Sequence, residues 1–216
     1  MMTCFSQIIK LLFMAHFPNK KCYNKTKEGS FMTEEVLNDS LNDDQKITDE
    51  VILQLKPLIF KTITDDDIIK FIHLQCQKVL GLAKNKNDSK EVARALNLDT
   101  FEVLTPVFGQ AHSVDIDFFV NEMKGTDYAF LVMHNHPSNS HFSNKDLKTF
   151  VDAVNMSILI ALGNNGSIYV IEKTRNLTPR EIISARKTIL DWKKNLIGYD
   201  AVVEQIKAFG VVYTEI

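Results

Sequence analysis

Two histidines and an aspartate, His134, His136 and Asp146, are the residues whose types and spacing could do chemistry. The histidines follow an apolar run, and residues i and i+2 of a strand point to the same side, so both imidazoles can reach one ion. Pro137 ends that strand, and Asp146 falls in the first turn of an expected helix, from which its carboxylate can turn to the same point. Two histidines and a carboxylate leave a tetrahedral ion one position for water, which is typical of a catalytic zinc site.

Each part of this pattern also has an ordinary explanation. A His-x-His pair often occurs by chance, and Ser143 with Asp146 forms a helix-capping signature. Their conjunction between a buried strand and a helix favours a metal site. His141 lies in the connecting loop, where we expect it to support the ligands or face solvent rather than bind the ion. The other histidines have no clustered partners in the sequence and are interpreted as structural: His16, His73 and His112.

Hydrophobic periodicity predicts the elements that must position these residues. Continuous apolar runs predict two buried strands, Tyr128–Met133 before the histidines and Ser157–Leu162 after them. A capped helix from Asn144 to about Val154 would carry Asp146. Four further helices are predicted: one from Thr64 or Asp65 to Ala83 that begins in a solvated triple-Asp turn, one over 115–124 closed by Gly125, one from Thr178 to Leu196 and one over 201–209. A hairpin strand is predicted over 167–172 and a strand-like tail over 211–213.

The segment Glu91–Leu98 is open to two interpretations. It can be a strand, followed by a turn and a second strand over Glu102–Phe108. Its Glu, Ala, Arg and Leu residues also favour helix, so it could begin a helix-turn-helix. A DNA-binding protein of that kind would carry a basic recognition helix next, whereas residues 99–123 hold five acidic residues and no Lys or Arg. The composition therefore disfavours DNA binding.

Composition limits the class of protein. The chain of 216 residues, 45% of them apolar and 24% charged, suits one domain of moderate size with appendages. A net charge of -2 argues against a nucleic-acid surface formed by the whole fold but leaves a local basic patch open. Three cysteines without a CxxC pair fit reduced thiols in a cytoplasmic protein. The apolar run within Met1–Phe17 is shorter than the roughly 20 residues that span a bilayer, so we expect no membrane association.

A break in charge composition predicts boundaries near the beginning of the chain. Residues 1–31 hold five Lys and one Glu, whereas residues 32–56 hold two Lys and seven acidic residues. This break suggests that translation starts at Met32 and that 1–31 are a leader or disordered. We expect an acidic lead-in, disordered or loosely helical, and an N-terminal helix over 32–88. A metal-binding domain over 89–175 and a C-terminal helical extension over 176–216 would follow.

The sequence HNHPS at 134–138, followed by Ser143-x-x-Asp146, resembles the signature of the JAMM metalloproteins, also called JAB or MPN+, in its RadC-like form. Lys90–Leu98 resembles the strand that carries the family's glutamate, and the similarity extends over about residues 90–173. The chain departs from the family in a loop one residue shorter before Ser143 and in Asn139, where a glycine is usual. The resemblance implies an α/β (α+β) fold of cytidine-deaminase-like architecture. Its mixed, largely antiparallel sheet would be flanked by helices, with extra N- and C-terminal helices.

The resemblance also implies a role for each site residue. The two histidines and the aspartate would bind Zn²⁺, and a glutamate on a neighbouring strand would take a proton from the water that zinc activates. Glu91 heads the strand in the family-like order and leaves 42 residues before His134, so it is the expected general base. Glu102 leaves 31 residues and is the second choice. Ser143 would stabilise the developing oxyanion.

The leading hypothesis is therefore a zinc-dependent hydrolase that cleaves an amide or isopeptide bond in a protein or peptide substrate. A DNA-associated accessory protein of the DNA-repair type and a metal-free MPN-like interaction protein are the alternatives. Metal-free MPN domains usually lose ligands, whereas this chain keeps the whole set. The motif does not identify the substrate or the oligomeric state.

Overall fold

The computed structural model describes residues 40–216, all within the compact unit Asn38–Ile216. Three predictions lie outside the described residues: the leader over 1–31, the translation start at Met32 and the beginning of the acidic lead-in. The predicted division of the rest into a lead-in, a metal-binding domain and a C-terminal extension stays a prediction. Within residues 40–216, no helix has the length and apolar character needed to cross a membrane.

The described part of the chain contains six strands and six α-helices. The strands are β1 (Val92–Asn97), β2 (Val107–Phe108), β3 (Phe130–His136), β4 (Met156–Gly163), β5 (Ile168–Lys173) and β6 (Val211–Glu215). The α-helices are α1 (Asp49–Leu53), α2 (Asp66–Lys86), α3 (Asp117–Glu122), α4 (Asn144–Asp152), α5 (Pro179–Lys193) and α6 (Tyr199–Lys207). A short 3-10 helix, Asp43–Gln45, precedes α1.

The six strands form one sheet in the order β2-β1-β3-β4-β5-β6. Every neighbouring pair is antiparallel except β3 and β4, which are parallel and joined through α4. A parallel pair needs such a crossover connection, because a tight hairpin can join only antiparallel strands. The prediction of a mixed, largely antiparallel sheet flanked by helices is confirmed.

Helices cover both faces of this sheet. Helix α2 packs on one face, where Leu131 and Met133 of β3 join the core. The other face receives Phe130 and Val132 and is covered by residues of α3 to α6. Strand β3 is therefore buried on both sides, which explains why its sequence is a continuous apolar run. Strand alternation then directs His134 and His136 towards the layer formed by α3 to α6.

Segment 91–98 is a strand, so the helix-turn-helix alternative is wrong. Val92–Asn97 forms β1, and residues from Ala93 to Asn97 pair with β3. This pairing outweighs the helix propensity of Ala, Arg and Leu, because burial between two layers stabilises the strand. The predicted strand over 102–108 is wrong for most of its length, since only Val107–Phe108 joins the sheet and Val103 makes an isolated bridge to Leu96. Pro106 lacks an N–H and interrupts the ladder.

From Ser40 onwards, the described part of the predicted lead-in packs against the core on the α2 face of the sheet. Its apolar residues Leu41, Ile47 and Leu55 are buried, and the backbone N–H of Ile47 donates to the Ser89 hydroxyl at 3.0 Å. The acidic composition predicted a loosely helical or disordered segment. Its described part contains the short helix α1 (Asp49–Leu53), and these few apolar side chains bury enough surface to hold it.

The predicted starts of α2, α4 and α5 agree with the structure, whereas α3 begins two residues later and α6 two residues earlier than predicted. Asp65 caps α2 by accepting hydrogen bonds from the backbone of Asp67 and Ile68, as a solvated N-terminal turn should. Thr178 and Glu181 form the predicted capping box at the start of α5, with a proline in the first turn.

Glu172 of β5 is a fully buried carboxylate that holds the chain before α2. It accepts hydrogen bonds from the backbone N–H groups of Lys61 and Thr62, each at 2.9 Å, and from the Thr62 hydroxyl at 2.6 Å. We expect Glu172→Gln to lower the free energy of unfolding by about 3 kcal/mol, because an amide NH2 would face a backbone N–H in a buried place. Chemical denaturation measures this change. Glu204→Gln on the exposed face of α6 is the control, and equal losses in the two variants would contradict the expectation.

Candidate metal centre

The C-terminal end of β3 positions the two histidines. His134 lies between Ala93 of β1 and Ala161 of β4 in the sheet register, and His136 lies opposite Gly163. These small neighbours leave the space above the sheet to the imidazole rings. His134 is completely buried and His136 nearly so.

The three predicted ligands meet at one point. The two Nε2 atoms of His134 and His136 are 2.8 Å apart, and Oδ2 of Asp146 lies 3.6 Å from the first and 3.4 Å from the second. Two ligands about 2.0 Å from a tetrahedral zinc ion would be separated by roughly 3.3 Å, so the spacing fits such an ion after small adjustments. His134, His136 and Asp146 thus form a buried group that could hold a metal ion.

The capping role of Asp146 and its place in this group are compatible. Ser143 is the N-cap of α4, and its hydroxyl accepts the backbone N–H of Asp146 at 3.2 Å. In return Oδ2 of Asp146 accepts the backbone N–H of Ser143 at 2.8 Å, and this same oxygen faces both histidines. The capping box therefore fixes the carboxylate in the orientation that a metal would need.

Each histidine is oriented differently. Nδ1 of His136 lies 3.0 Å from the carbonyl oxygen of Ser140, to which it can donate, and this leaves Nε2 as the ligand atom. Nδ1 of His134 is buried without a hydrogen-bond partner among the described residues. Packing and the contact with His136 therefore set the ring orientation of His134.

The electrostatics of the group favour a cation. Burial lowers the pKa of His134 and keeps its imidazole neutral, which is the form that binds metals. Burial also acts against the charged form of His136, but hydrogen bonding to Asp146 and the charges of Asp146 and Glu91 outweigh it and raise its pKa. Burial likewise disfavours the charged form of Asp146, yet the two histidines hold its pKa well below the usual range. The carboxylate therefore stays ionised.

Glu91 shares a cavity with the group. Continuing the antiparallel register of β1 and β3 by two residues places Glu91 opposite His136. Both residues line a cavity of about 360 Å³, together with Ser143 and Asp146. Glu91 is 7% exposed, and burial raises its pKa to about 8, with Asp146 adding to the rise and His136 and Lys145 opposing it. The structure thus brings the first-choice base to the site.

Glu102, the second choice for the base, lies elsewhere. It is exposed, and its carbonyl oxygen accepts the N–H of Asn97 at the far end of β1. Ser143 does line the cavity, and because its oxygen accepts the N–H of Asp146, its own O–H is free to donate to a ligand.

The sequence interpretation missed a buried pair of asparagines, Asn135 and Asn164. Oδ1 of Asn135 accepts the N–H of Val92 at 2.7 Å, and its Nδ2 donates to Oδ1 of Asn164 at 2.8 Å. Asn164 in turn donates to the carbonyl oxygens of Gln45 and Ser89. This chain of hydrogen bonds fixes the backbone beside Glu91. Asn135 faces away from its histidine neighbours, and that alternation within His-Asn-His was the available signal.

The loop after β3 is short but well supported. Asn139 has a φ of 56°, a left-handed conformation that asparagine tolerates. Its side-chain oxygen accepts the backbone N–H of Asn165 at 2.8 Å. The six-residue loop brings Ser143 and Asp146 to the histidines.

Two further histidines take different places. His141 is not among the candidate ligands but stacks on Tyr199 of α6, with ring centroids 3.4 Å apart and planes 5° from parallel. This stack joins the loop between β3 and α4 to the C-terminal helices. His112 is exposed and lines the cavity with Glu91, although it has no clustered partner in the sequence.

No family model, curated protein or solved structure matches this chain. The resemblance to JAMM metalloproteins therefore depends on the residues quoted above.

Proposed function

We propose that this chain is a zinc-dependent hydrolase of the RadC-like JAMM type, in which an activated water attacks an amide or isopeptide bond. The observation that supports the proposal is the convergence of a His-His-Asp group, a buried glutamate and a serine hydroxyl on one cavity. The position of HNHPS at the end of a central strand, with the glutamate before the neighbouring strand, also supports a JAB/MPN sheet of cytidine-deaminase-like architecture.

The donor set supports zinc as the metal. Two imidazole nitrogens and one carboxylate oxygen suit zinc, whereas calcium and magnesium prefer oxygen ligands alone. Three protein ligands leave an open position, which distinguishes catalytic zinc sites from structural ones. When bound, zinc would lower the pKa of a water to about 7 and polarise the substrate carbonyl.

Residues of the chain would then move the proton and stabilise charge. The Glu91 carboxylate accepts the proton of the attacking water and passes it to the leaving nitrogen, so that the nitrogen departs as a neutral amine. Its largely buried position strengthens it as a base, because desolvation favours the protonated form. The Ser143 hydroxyl donates a hydrogen bond to the oxygen of the scissile carbonyl as negative charge develops there.

The alternative of a metal-free interaction protein has weaker support. Asp146 and Glu91 are both about nine-tenths buried, and placing ionisable groups there costs free energy. A protein that binds neither a metal nor a substrate would gain nothing from this arrangement. The substrate that we propose for the hydrolase is a protein or peptide.

Removal of the metal tests the proposal. We expect phenanthroline-treated protein to lose both its zinc and its hydrolysis of model peptides with amide or lysine isopeptide bonds, and one equivalent of zinc to restore both. Zinc at a hundredfold excess over its dissociation constant should also stabilise the fold by about 2.7 kcal/mol, visible as a higher melting temperature. Failure to bind zinc would overturn the metal assignment. Stoichiometric binding without zinc-dependent cleavage of either bond type would overturn the hydrolase.

A further inference from the structure

A second groove lies on the opposite face of the sheet from the metal centre. It runs between α2 and the loop before β2, has a volume of about 500 Å³, and lies within the range of small-ligand sites. Three cations line it, Lys78, Lys86 and Arg94, and none of the described residues that line it is acidic. The proposed hydrolase makes no use of this groove.

Arg94 is the central cation. It belongs to β1, and its side chain is partly buried because strand alternation directs it beneath α2. Its Nε donates to the carbonyl oxygen of Leu104 at 3.3 Å and its Nη1 to Oε1 of Gln75 at 3.2 Å. Burial lowers the pKa of Arg94, and the described residues provide it with no ion-pair partner. A partly buried guanidinium without a counterion is costly, and a bound anion would remove that cost.

Lys78 lies close to Arg94. Burial and the charge of Arg94 both lower the pKa of Lys78, which means that two like charges oppose each other across the groove. Lys86 follows two turns later on the same side of α2 and is exposed. Neither lysine has an ion-pair partner in the described residues. The groove therefore holds several positive charges that nothing in the described part of the chain balances.

A glycine keeps the floor of this groove open. Gly81 lies in the interior of α2, where glycine is less stable than alanine. A Cβ added there would meet nothing within 4 Å, so no close packing requires the glycine. Beside it, Leu82 and Pro106 provide apolar surface. A missing side chain between apolar residues and unbalanced cations leaves room for a ligand.

We propose that this groove binds a small phosphate-bearing ligand, with the phosphates on Arg94, Lys78 and Lys86 and an apolar or ring portion over Gly81. The planar fork of an arginine matches the oxygens of phosphate, and several cations favour a polyphosphate over a single carboxylate. A nucleoside diphosphate has both parts.

Isothermal titration calorimetry of the full chain tests this site. The protein is first treated with phenanthroline, so that phosphate cannot bind to zinc at the other site. We expect ADP to bind more tightly than pyrophosphate, and adenosine not to bind. Equal affinity for pyrophosphate and ADP would mean that the groove binds phosphates without contacting the nucleoside, so that the ligand is an inorganic polyphosphate. Adenosine binding as tightly as ADP, or no binding by either phosphate probe, would overturn the proposal.

Matched variants distinguish binding of ADP in the groove from its nonspecific attraction to positive charge. Arg94→Gln should weaken ADP binding by roughly tenfold or more, since a charge-assisted contact is lost. Gly81→Leu should block the groove, whereas Gly81→Ala should keep most of the binding and raise the melting temperature, which shows that the fold is intact. Lys187→Gln, on an exposed position of α5, removes the same charge as a control. Loss of ADP binding in Lys187→Gln, or full binding in Gly81→Leu, would contradict the site.

Discussion

His136→Ala is expected to lower zinc affinity by a factor of 1,000 or more, on the order of 4 kcal/mol, and to leave the purified protein almost free of zinc. The reason is geometric. Nε2 of His136 lies 2.8 Å from Nε2 of His134 and 3.4 Å from Asp146, so its loss leaves two protein ligands at the site. Loss of an outer hydrogen-bond partner alone typically costs 10- to 100-fold in affinity, and loss of a ligand should exceed that.

Metal analysis under non-chelating conditions, followed by zinc titration, measures this effect. His112→Ala is the matched control, because His112 lines the same cavity but lies outside the His-His-Asp group. We expect the control to bind one zinc ion per chain, as the unaltered protein does. If His136→Ala binds zinc as tightly as His112→Ala, the metal centre is assigned to the wrong residues.

The candidate ligands could be found from sequence because each depends on local rules. Alternation along β3 places His134 and His136 on one side, and a capping signature places Asp146 in the first turn of a helix. From the sequence, capping and metal binding are competing roles for Asp146. In the structure one oxygen, Oδ2, accepts the capping hydrogen bond and also faces both histidines, because the N-cap of α4 points at them.

Features that depend on distant parts of the chain were not predictable in this way. The hydrogen bonds of Asn135 and Asn164 join β3, the beginning of β1 and the segment before α1, and no local pattern reports such a network. The segment from Ser40 was expected to be loose because its charge dominates its composition. Its order depends on a few apolar side chains that reach the α2 face of the sheet. Strand pairing similarly decided the conformation of β1 against its helix propensity.

Glu91→Gln is the second large expected effect, because it separates metal binding from catalysis. Glutamine has nearly the size of glutamate but cannot accept the proton of the attacking water. We expect zinc content to be unchanged and the turnover of a cleavable amide or isopeptide substrate to fall by a factor of 100 to 10,000, the usual contribution of a general base. Glu102→Gln, in the exposed segment that follows β1, should retain full activity. Equal activity of the two variants would remove Glu91 from the mechanism.

The pH dependence of stability in the zinc-free protein shows whether Glu91→Gln acts through folding instead. Burial raises the pKa of Glu91 from 4.5 to about 8, so the folded chain binds more protons than the unfolded chain between these values. The contribution of Glu91 to the free energy of unfolding is therefore fully present below about pH 4.5, and it is lost as the pH rises towards 8. Since glutamine does not titrate, Glu91→Gln should match the unaltered protein near pH 5 and be more stable than it at pH 8. Denaturation curves at the two pH values test this, and a variant that is less stable at both would mean that its lost activity reports a damaged fold.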